Sequence, residues 1–286
     1  MILDGKMVSN QIKENLKEEI RKFVKQTGIT PCLKIILVGE NPASLTYVKN
    51  KVKAAQVVGI DAEVVRLNEN VTENALLDLI NEMNKDASVH GIIVQLPLPC
   101  HINDQKVIDT VCDAKDVDGF GIENKGKLFS GLPCMESATP KGIMRLLDAY
   151  NIPISGSHAV VIGRSNIVGK PMAQLLLQKD ATVTICHSRT KDLSYFTKSA
   201  DILVVAIGKP KFITGDMVKE GAVVVDVGTN RVDGVMCGDV DFESVAPIAS
   251  YISPVPGGVG PLTIASLLEN TFEACKNITK KGDSIC

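Results

Sequence analysis

Apolar residues switch between two periods along this chain, and the switching outlines its elements. Val8, Ile12, Leu16, Ile20, Phe23 and Val24 recur at helical spacing with lysines and glutamates between them, which predicts an amphipathic helix over 8–24 packed on a core. Short β-branched runs then alternate with longer helical patterns. Strands are predicted at 33–38, 63–66 and 91–95, and helices at 43–58, 73–83 and, shorter, 105–111. Alternation of this kind implies parallel strands joined by right-handed crossovers. The stretch 112–139 breaks the pattern. It is rich in Asp, Gly and Lys, holds KDVDGFGIEN, and reads as a long loop without structure of its own, a kind of segment that is often functional. A helix over 141–150 leads into a second run of alternation.

That second run is organised by 158–189, HAVVIGRSNIVGKPMAQLLLQKDATVTICHSR. The apolar run 159–162 is too short and too β-branched for a helix and reads as a buried strand. A turn over 163–169 follows, Lys170 and Pro171 open a helix, and a strand over 182–186 closes a βαβ unit. Strand, glycine turn and helix N-terminus offer close approach and free backbone N–H groups to a pyrophosphate. The spacing is G-x-S-x-x-x-G, with Ser165 in the second glycine position. After the second strand, a cofactor with a free ribose 2′-hydroxyl usually meets an acidic residue. This chain has His187, Ser188 and Arg189 there. Hydroxyl and guanidinium groups suit a 2′-phosphate, as does Arg164 in the first turn, so NADP is expected over NAD. Strands over 202–206 and 222–227 follow, with loops at 208–210 and 228–231 at their carboxyl ends. The turn SPVPGGVGP then precedes a last helix from 263 to about 277.

Composition narrows the class without choosing a function. A chain of 286 residues, 45% apolar and 22% charged, can bury a large core in two globular domains. With 31 basic and 33 acidic side chains, a net charge of −2 gives no reason to expect nucleic acid or a membrane as partner. The eight cysteines are scattered, with no zinc spacing, and read as reduced thiols rather than a disulfide framework. No signal-peptide layout or membrane-length apolar run is present, so a cytoplasmic protein is expected. The four histidines, His90, His101, His158 and His187, are isolated, and no metal is expected.

Four places hold polar groups that the hydrophobic pattern does not require. Tyr47 and Lys51 lie four apart on one helix and share a face, which is either solvated or chemical. Gln95 ends an apolar strand in VQLPLP, as a strand cap or as an amide aimed at a ligand. Asp118 in KDVDGFG precedes a glycine, where turn chemistry is the alternative. The PVPGGVGP turn is either a connector or part of a site.

Together the phrases PASLTYVKNK, VQLPLP, KDVDGFG, GRSNIVGKP, DVGTNR and PVPGGVGP, in this order and spread over most of the chain, closely resemble the bifunctional methylenetetrahydrofolate dehydrogenase/methenyltetrahydrofolate cyclohydrolase family. The resemblance implies two α/β domains around a cleft, the second a Rossmann-like doubly wound parallel sheet. The folate domain would span 1–138 with a C-terminal helix, 263–286, packing back on it, and the NADP domain 139–262. Lys51 is implied as the central group of hydrolysis, Tyr47 as flanking the folate ring, Gln95 as holding the lysine and Asp118 as gripping the pterin. Ser44 and Leu96 join the substrate residues, and Pro256, Gly257 and Gly258 are implied in the turn that closes the folate site. Gly163, Arg164, Ser165, Ile167, Val168, Ser188, Arg189 and Thr229 are implied for NADP. A folate substrate and a homodimer are implied as partners, in one-carbon metabolism serving purine, methionine and histidine biosynthesis. Two other readings remain at this point: a dehydrogenase of another small substrate, such as a shikimate-type enzyme, and a non-catalytic NADP-sensing protein. The first leaves Tyr47, Gln95 and the PVPGGVGP turn without roles, and Lys51 and Asp118 argue against the second.

Overall fold

The computed structural model describes residues 1–281. In chain order its elements are α1 (Gly5–Thr27), β1 (Cys32–Val38), α2 (Pro42–Val58), β2 (Asp61–Leu67), α3 (Glu73–Lys85), β3 (Gly91–Val94), α4 (Asp104–Thr110), α5 (Ile122–Phe129), α6 (Ala138–Ala149), β4 (His158–Ile162), α7 (Gly169–Gln178) and β5 (Thr182–Cys186). There follow α8 (Leu193–Thr197), β6 (Ile202–Val205), β7 (Val223–Asp226), β8 (Asn230–Val232), β9 (Val235–Cys237), α9 (Phe242–Val245), β10 (Tyr251–Ile252) and α10 (Val259–Lys281). They divide into two compact units. One comprises Gln11–Ala138 with the chain from Ile264 onward, the other Met1–Asn10 with Thr139–Thr263.

The first unit is built on a parallel sheet in the order β2-β1-β3. Its central strand has apolar side chains on both faces, so each face carries its own core. Leu33, Ile35 and Leu37 pack with α1, α2 and residues of α10, while Ile36 and Val38 pack with Leu76, Ile80 and Val107. The C-terminal helix is tied in by an edge-to-face contact of Phe272 with Phe23, centroids 5.4 Å apart, and by the Asn270 amide donating to the carbonyls of Val117 and Glu136. Residues 282–286, part of the helix expected from sequence, lie outside the described residues.

The second unit holds a five-stranded parallel sheet in the order β10-β7-β6-β4-β5. The strand order reverses beside β4, and open α/β sheets bind ligands at such a switch point, beyond the carboxyl ends of the strands. The N-terminal ten residues belong here rather than with the folate domain as expected. Leu3 N–H donates to Ile252 O, Ile252 N–H to Met1 O, and Asp4 N–H to the Tyr150 hydroxyl. Three residues added to a sheet edge leave no hydrophobic period to read.

Two further expectations change. The stretch 112–139 is not structureless, since α5 lies within it. That helix has a central glycine, no side-chain cap, and only Asn124 and Leu128 buried, which hides its period. Residues 230–237 form an antiparallel hairpin around Asp233-Gly234, both at positive φ, and Asp-Gly between short strands is the signal that marks it. Among the described residues, Cys32, Cys100, Cys134, Cys186, Cys237 and Cys275 are free thiols.

Candidate active site

Helix α2 starts where Asn41 accepts hydrogen bonds from the N–H groups of Ala43 and Ser44, with Pro42 in the first turn. It ends at Gly59, which takes the left-handed conformation. Its buried face is Ser44, Val48, Lys51, Ala55 and Val58. Lys51 thus occupies a core position and is 9% exposed, while Tyr47, one turn earlier, is 47% exposed. The solvated-face reading of this pair fails at Lys51.

Burying an ammonium requires a partner. Lys51 Nζ donates to Gln95 Oε1 at 3.2 Å, and Gln95 Nε2 donates to Leu96 O at 2.8 Å. The second bond fixes which end of the amide is the acceptor. Gln95 lies one residue past β3, and its own N–H still pairs with Ile36 O, so the sheet positions the amide. The Leu96–Pro97 peptide is cis.

Asp118 is half-buried in the KDVDGFG segment, and its neighbours show why it is available. Lys115, fully buried, gives its ammonium hydrogens to the carbonyls of Met83, Asn84 and Asp86, the first two at the end of α3. Asp116, also buried, accepts from Phe120 N–H, Gly121 N–H and Asn124 Nδ2. Gly119 has φ +67°, and a Cβ there would lie 2.6 Å from Met135 O, so the segment must turn where it does. These interactions hold the loop and leave Asp118 facing Lys51 electrostatically. Desolvation raises the Asp118 carboxyl above its ordinary value, and the Lys51 charge opposes that rise. Ser44, Tyr47, Lys51, Gln95, Leu96 and Asp118 all lie in the first unit. Pro256, Gly257 and Gly258 lie in the second, where Gly257 O accepts from Lys6 N–H and Gly258 N–H donates to Pro254 O.

In the second unit the turn after β4 is glycine-dependent at two points. Gly163 has φ +121°, and a Cβ would come within 2.3 Å of Ala206 O; at Gly169 it would come within 2.2 Å of Gly163 O. The expected free N–H groups at the helix start are occupied. Val168 and Gly169 donate to Ser165 Oγ, and Lys170 N–H donates to Ser165 O. The N–H groups of Arg164, Ser165, Asn166 and Ile167 take no partner among the described residues, so the anion-binding donors sit in the turn itself. The Ser165 hydroxyl, accepting through oxygen, keeps its hydrogen to donate. Arg164, Ser188, Arg189 and Thr229 are exposed, on loops after β4, β5 and β7 at the switch-point end of the sheet. This donor set of turn amides, hydroxyls and two guanidinium groups suits a phosphorylated dinucleotide.

Sequence reasoning passed over two buried aspartates. Asp226 ends β7 and Asp239 follows β9. Both are beside glycines, Gly228 and Gly238, whose absent side chains make room for them; that adjacency is the signal that could have found them.

Comparison with known proteins agrees with this geometry. Residues 3–118 match the model of the tetrahydrofolate dehydrogenase/cyclohydrolase catalytic domain, and 137–279 that of the tetrahydrofolate dehydrogenase/cyclohydrolase NAD(P)-binding domain. The bifunctional protein FolD of Francisella philomiragia is 56% identical over 98% of this chain and 99% of its own. The crystal structure of the bifunctional enzyme FolD from Campylobacter jejuni superposes with a TM-score of 0.95 at 55% identity, covering 97% of this chain and 99% of that one. The methylenetetrahydrofolate dehydrogenase-cyclohydrolase of Trypanosoma brucei, solved with NADP cofactor and inhibitor, superposes at 0.94 with 37% identity over 98% of both chains. With both domain models and full-length relatives matched in one chain, this protein is a member of the bifunctional methylenetetrahydrofolate dehydrogenase/cyclohydrolase family.

Proposed function

We propose that the enzyme's two activities, NADP-dependent oxidation of methylenetetrahydrofolate and hydrolysis of the resulting methenyl compound to formyltetrahydrofolate, draw on its two units unequally. The single observation that carries the assignment is Lys51, a lysine on the buried face of α2, held by an amide whose own orientation is fixed. NADP, when bound, accepts the hydride from the methylene carbon. The cation left on the folate is delocalised over two nitrogens, so oxidation asks of the side chains only alignment and exclusion of water. Hydrolysis needs more, because water attacking the methenyl carbon must lose a proton. Lys51 in its neutral form takes that proton while one of its own hydrogens stays on Gln95 Oε1. Asp118 accepts hydrogen bonds from the pterin, Tyr47 flanks the ring, and Ser44 and Leu96 complete the substrate residues of that unit. Gly163, Ile167 and Val168 shape the cofactor turn, Ser165 and Thr229 hydrogen-bond the cofactor, and Arg164, Ser188 and Arg189 take the 2′-phosphate. A homodimer through the cofactor unit is part of the reading, supported by the apolar side chains Val232, Val235 and Met236 exposed on the β8–β9 hairpin. Absorbance-monitored turnover of methylenetetrahydrofolate with NADP and NAD in parallel, following reduced cofactor and methenyl intermediate together, tests the assignment. Equal rates with both cofactors would remove the 2′-phosphate assignment.

A further inference from the structure

Asp239 and Asp226 form a buried carboxylate pair that binds no side-chain cation among the described residues and is consumed by backbone. Asp239, 0% exposed, accepts from Ile207 N–H at 2.7 Å, Gly208 N–H at 2.9 Å and Lys209 N–H at 2.8 Å, and from Asn230 Nδ2 at 2.8 Å. Its own N–H donates to Asp226 Oδ1 at 2.9 Å. Asp226 accepts further from Gly228 N–H and Val240 N–H. The fit leaves no slack: a Cβ on Gly228 would lie 2.2 Å from the Asp239 carboxyl carbon, and one on Gly238 would lie 1.7 Å from Asp226 Oδ2. A single carboxylate thus ties the loop after β6 to the turn after β7, the turn that carries Thr229. Both segments leave the sheet at carboxyl strand ends, where this fold places its ligand.

We infer that Asp239 is a positioning residue for the cofactor: it fixes the 207–209 loop and, through Asn230, the 228–230 turn, in the shape that NADP meets. The inference rests on the NADP reading above. Asp239 touches no cofactor atom and acts through backbone amides, because three converging N–H groups cannot be held by any neutral side chain of the same size. In Asp239→Asn, an amide NH2 would face donors, and the loop would lose part of its anchorage.

The test uses the full-length enzyme. NADP dissociation constants are measured by fluorescence titration for the native protein and Asp239→Asn, and amide hydrogen exchange is followed at Ile207, Gly208 and Lys209. Hydrolysis of added methenyltetrahydrofolate, which depends on the Lys51 unit, reports that the rest of the chain is folded. The expected result is a rise in dissociation constant of about tenfold, with faster exchange at those three amides and unchanged exchange in β4. Native-like NADP affinity despite faster exchange would overturn the inference, and so would weakened affinity with unchanged exchange. If Asp239→Asn unfolds its unit, Asn230→Ala decides: it leaves the three backbone donors in place and frees only the turn. A rise of about threefold is then expected, and an unchanged constant overturns the inference. A native enzyme that does not bind NADP would instead sink the cofactor reading itself.

Discussion

The two units bury charge by opposite logics. In the first, Lys115 is taken up by backbone carbonyls and Asp116 by two N–H groups and the Asn124 amide. That leaves Asp118, two residues on, with no backbone donor among the described residues and a lysine for its electrostatic partner. In the second, the buried Asp226 and Asp239 are taken up by backbone N–H groups and the Asn230 amide, and the charged groups offered to the cofactor, Arg164 and Arg189, are exposed. One unit therefore keeps a side-chain pair for its chemistry, while the other uses its buried charge to shape a backbone and leaves binding to turn amides and exposed side chains. The contrast fits what each half is asked to do, since moving a proton needs a titratable group and gripping a dinucleotide needs donors at fixed places.

The largest break in this comparison is Lys115→Met. It removes the ammonium that satisfies the carbonyls of Met83, Asn84 and Asp86; Asp86 O keeps the Val89 N–H, while those of Met83 and Asn84 lose the Lys115 donor. Each buried polar group left unsatisfied costs about 1–3 kcal/mol, and two are left here. Denaturant unfolding should show that loss, while the folded protein at low temperature keeps both activities. A lysine mattering for catalysis at this position would instead lower activity without lowering stability.

Asp226 sharpens the other side. Burial is the main cause that lifts its carboxyl from 3.8 to about 6, against the opposing pull of the Val240, Asp239 and Gly228 amides. The folded state therefore holds this proton more tightly than the unfolded chain. The contribution to stability is fully present below 3.8 and is lost as pH rises through about 6. A gap of this size corresponds to about 3 kcal/mol. The stability of the native enzyme relative to Asp226→Asn should fall by that order between pH 4 and 7, measured by urea unfolding at several pH values; a flat difference would remove the buried proton from the account.

Lys51→Met tests the catalytic side. The substitution keeps a flexible stem on the buried face of α2 and deletes the nitrogen that Gln95 holds. Hydrolysis should fall by about 10²-fold or more, as for loss of a general base. Oxidation should survive in part, so that methenyl intermediate accumulates. An unchanged hydrolysis rate would return Lys51 to an ordinary structural role.

What the sequence disclosed follows the same division. Regular elements with strong periods, such as α2, β1 and β5, were readable to within a residue or two, because their burial repeats. Tyr47, Lys51, Gln95 and Asp118 were polar positions that the hydrophobic pattern did not require, and their roles came from the family resemblance, since each by itself fitted a solvated face, a strand cap or a turn. The pairing of Met1 and Leu3 with Ile252 was invisible, because backbone hydrogen bonds at a sheet edge need no particular side chain. The occupied N–H groups at the start of α7 were equally hidden, since a serine reads the same whether its oxygen faces a phosphate or its own helix. Asp239 escaped because its four donors come from segments separated by 9 to 32 positions in sequence.

The smallest expected effect is on cofactor choice. Arg189 follows Ser188 on the loop after β5 and is exposed, its N–H resting on the His187 ring. An exposed guanidinium gains only part of the energy of a buried one, because solvent and salt screen it. Arg164, also exposed, lies on the neighbouring loop and shares the load. Arg189→Glu converts attraction to repulsion at one of these two places, and the ratio of NADP to NAD specificity should drop by about tenfold rather than vanish. The effect should sit in KM for NADP and leave kcat near its native value, since the substituted group lies away from the transferred hydride. Raising the salt concentration should shrink the native preference in the same direction. If Arg189→Glu leaves the ratio unchanged while Arg164→Glu abolishes it, the 2′-phosphate is read by the turn after β4 alone, and the second unit would then concentrate its charge recognition on the same glycine turn that supplies its free amides.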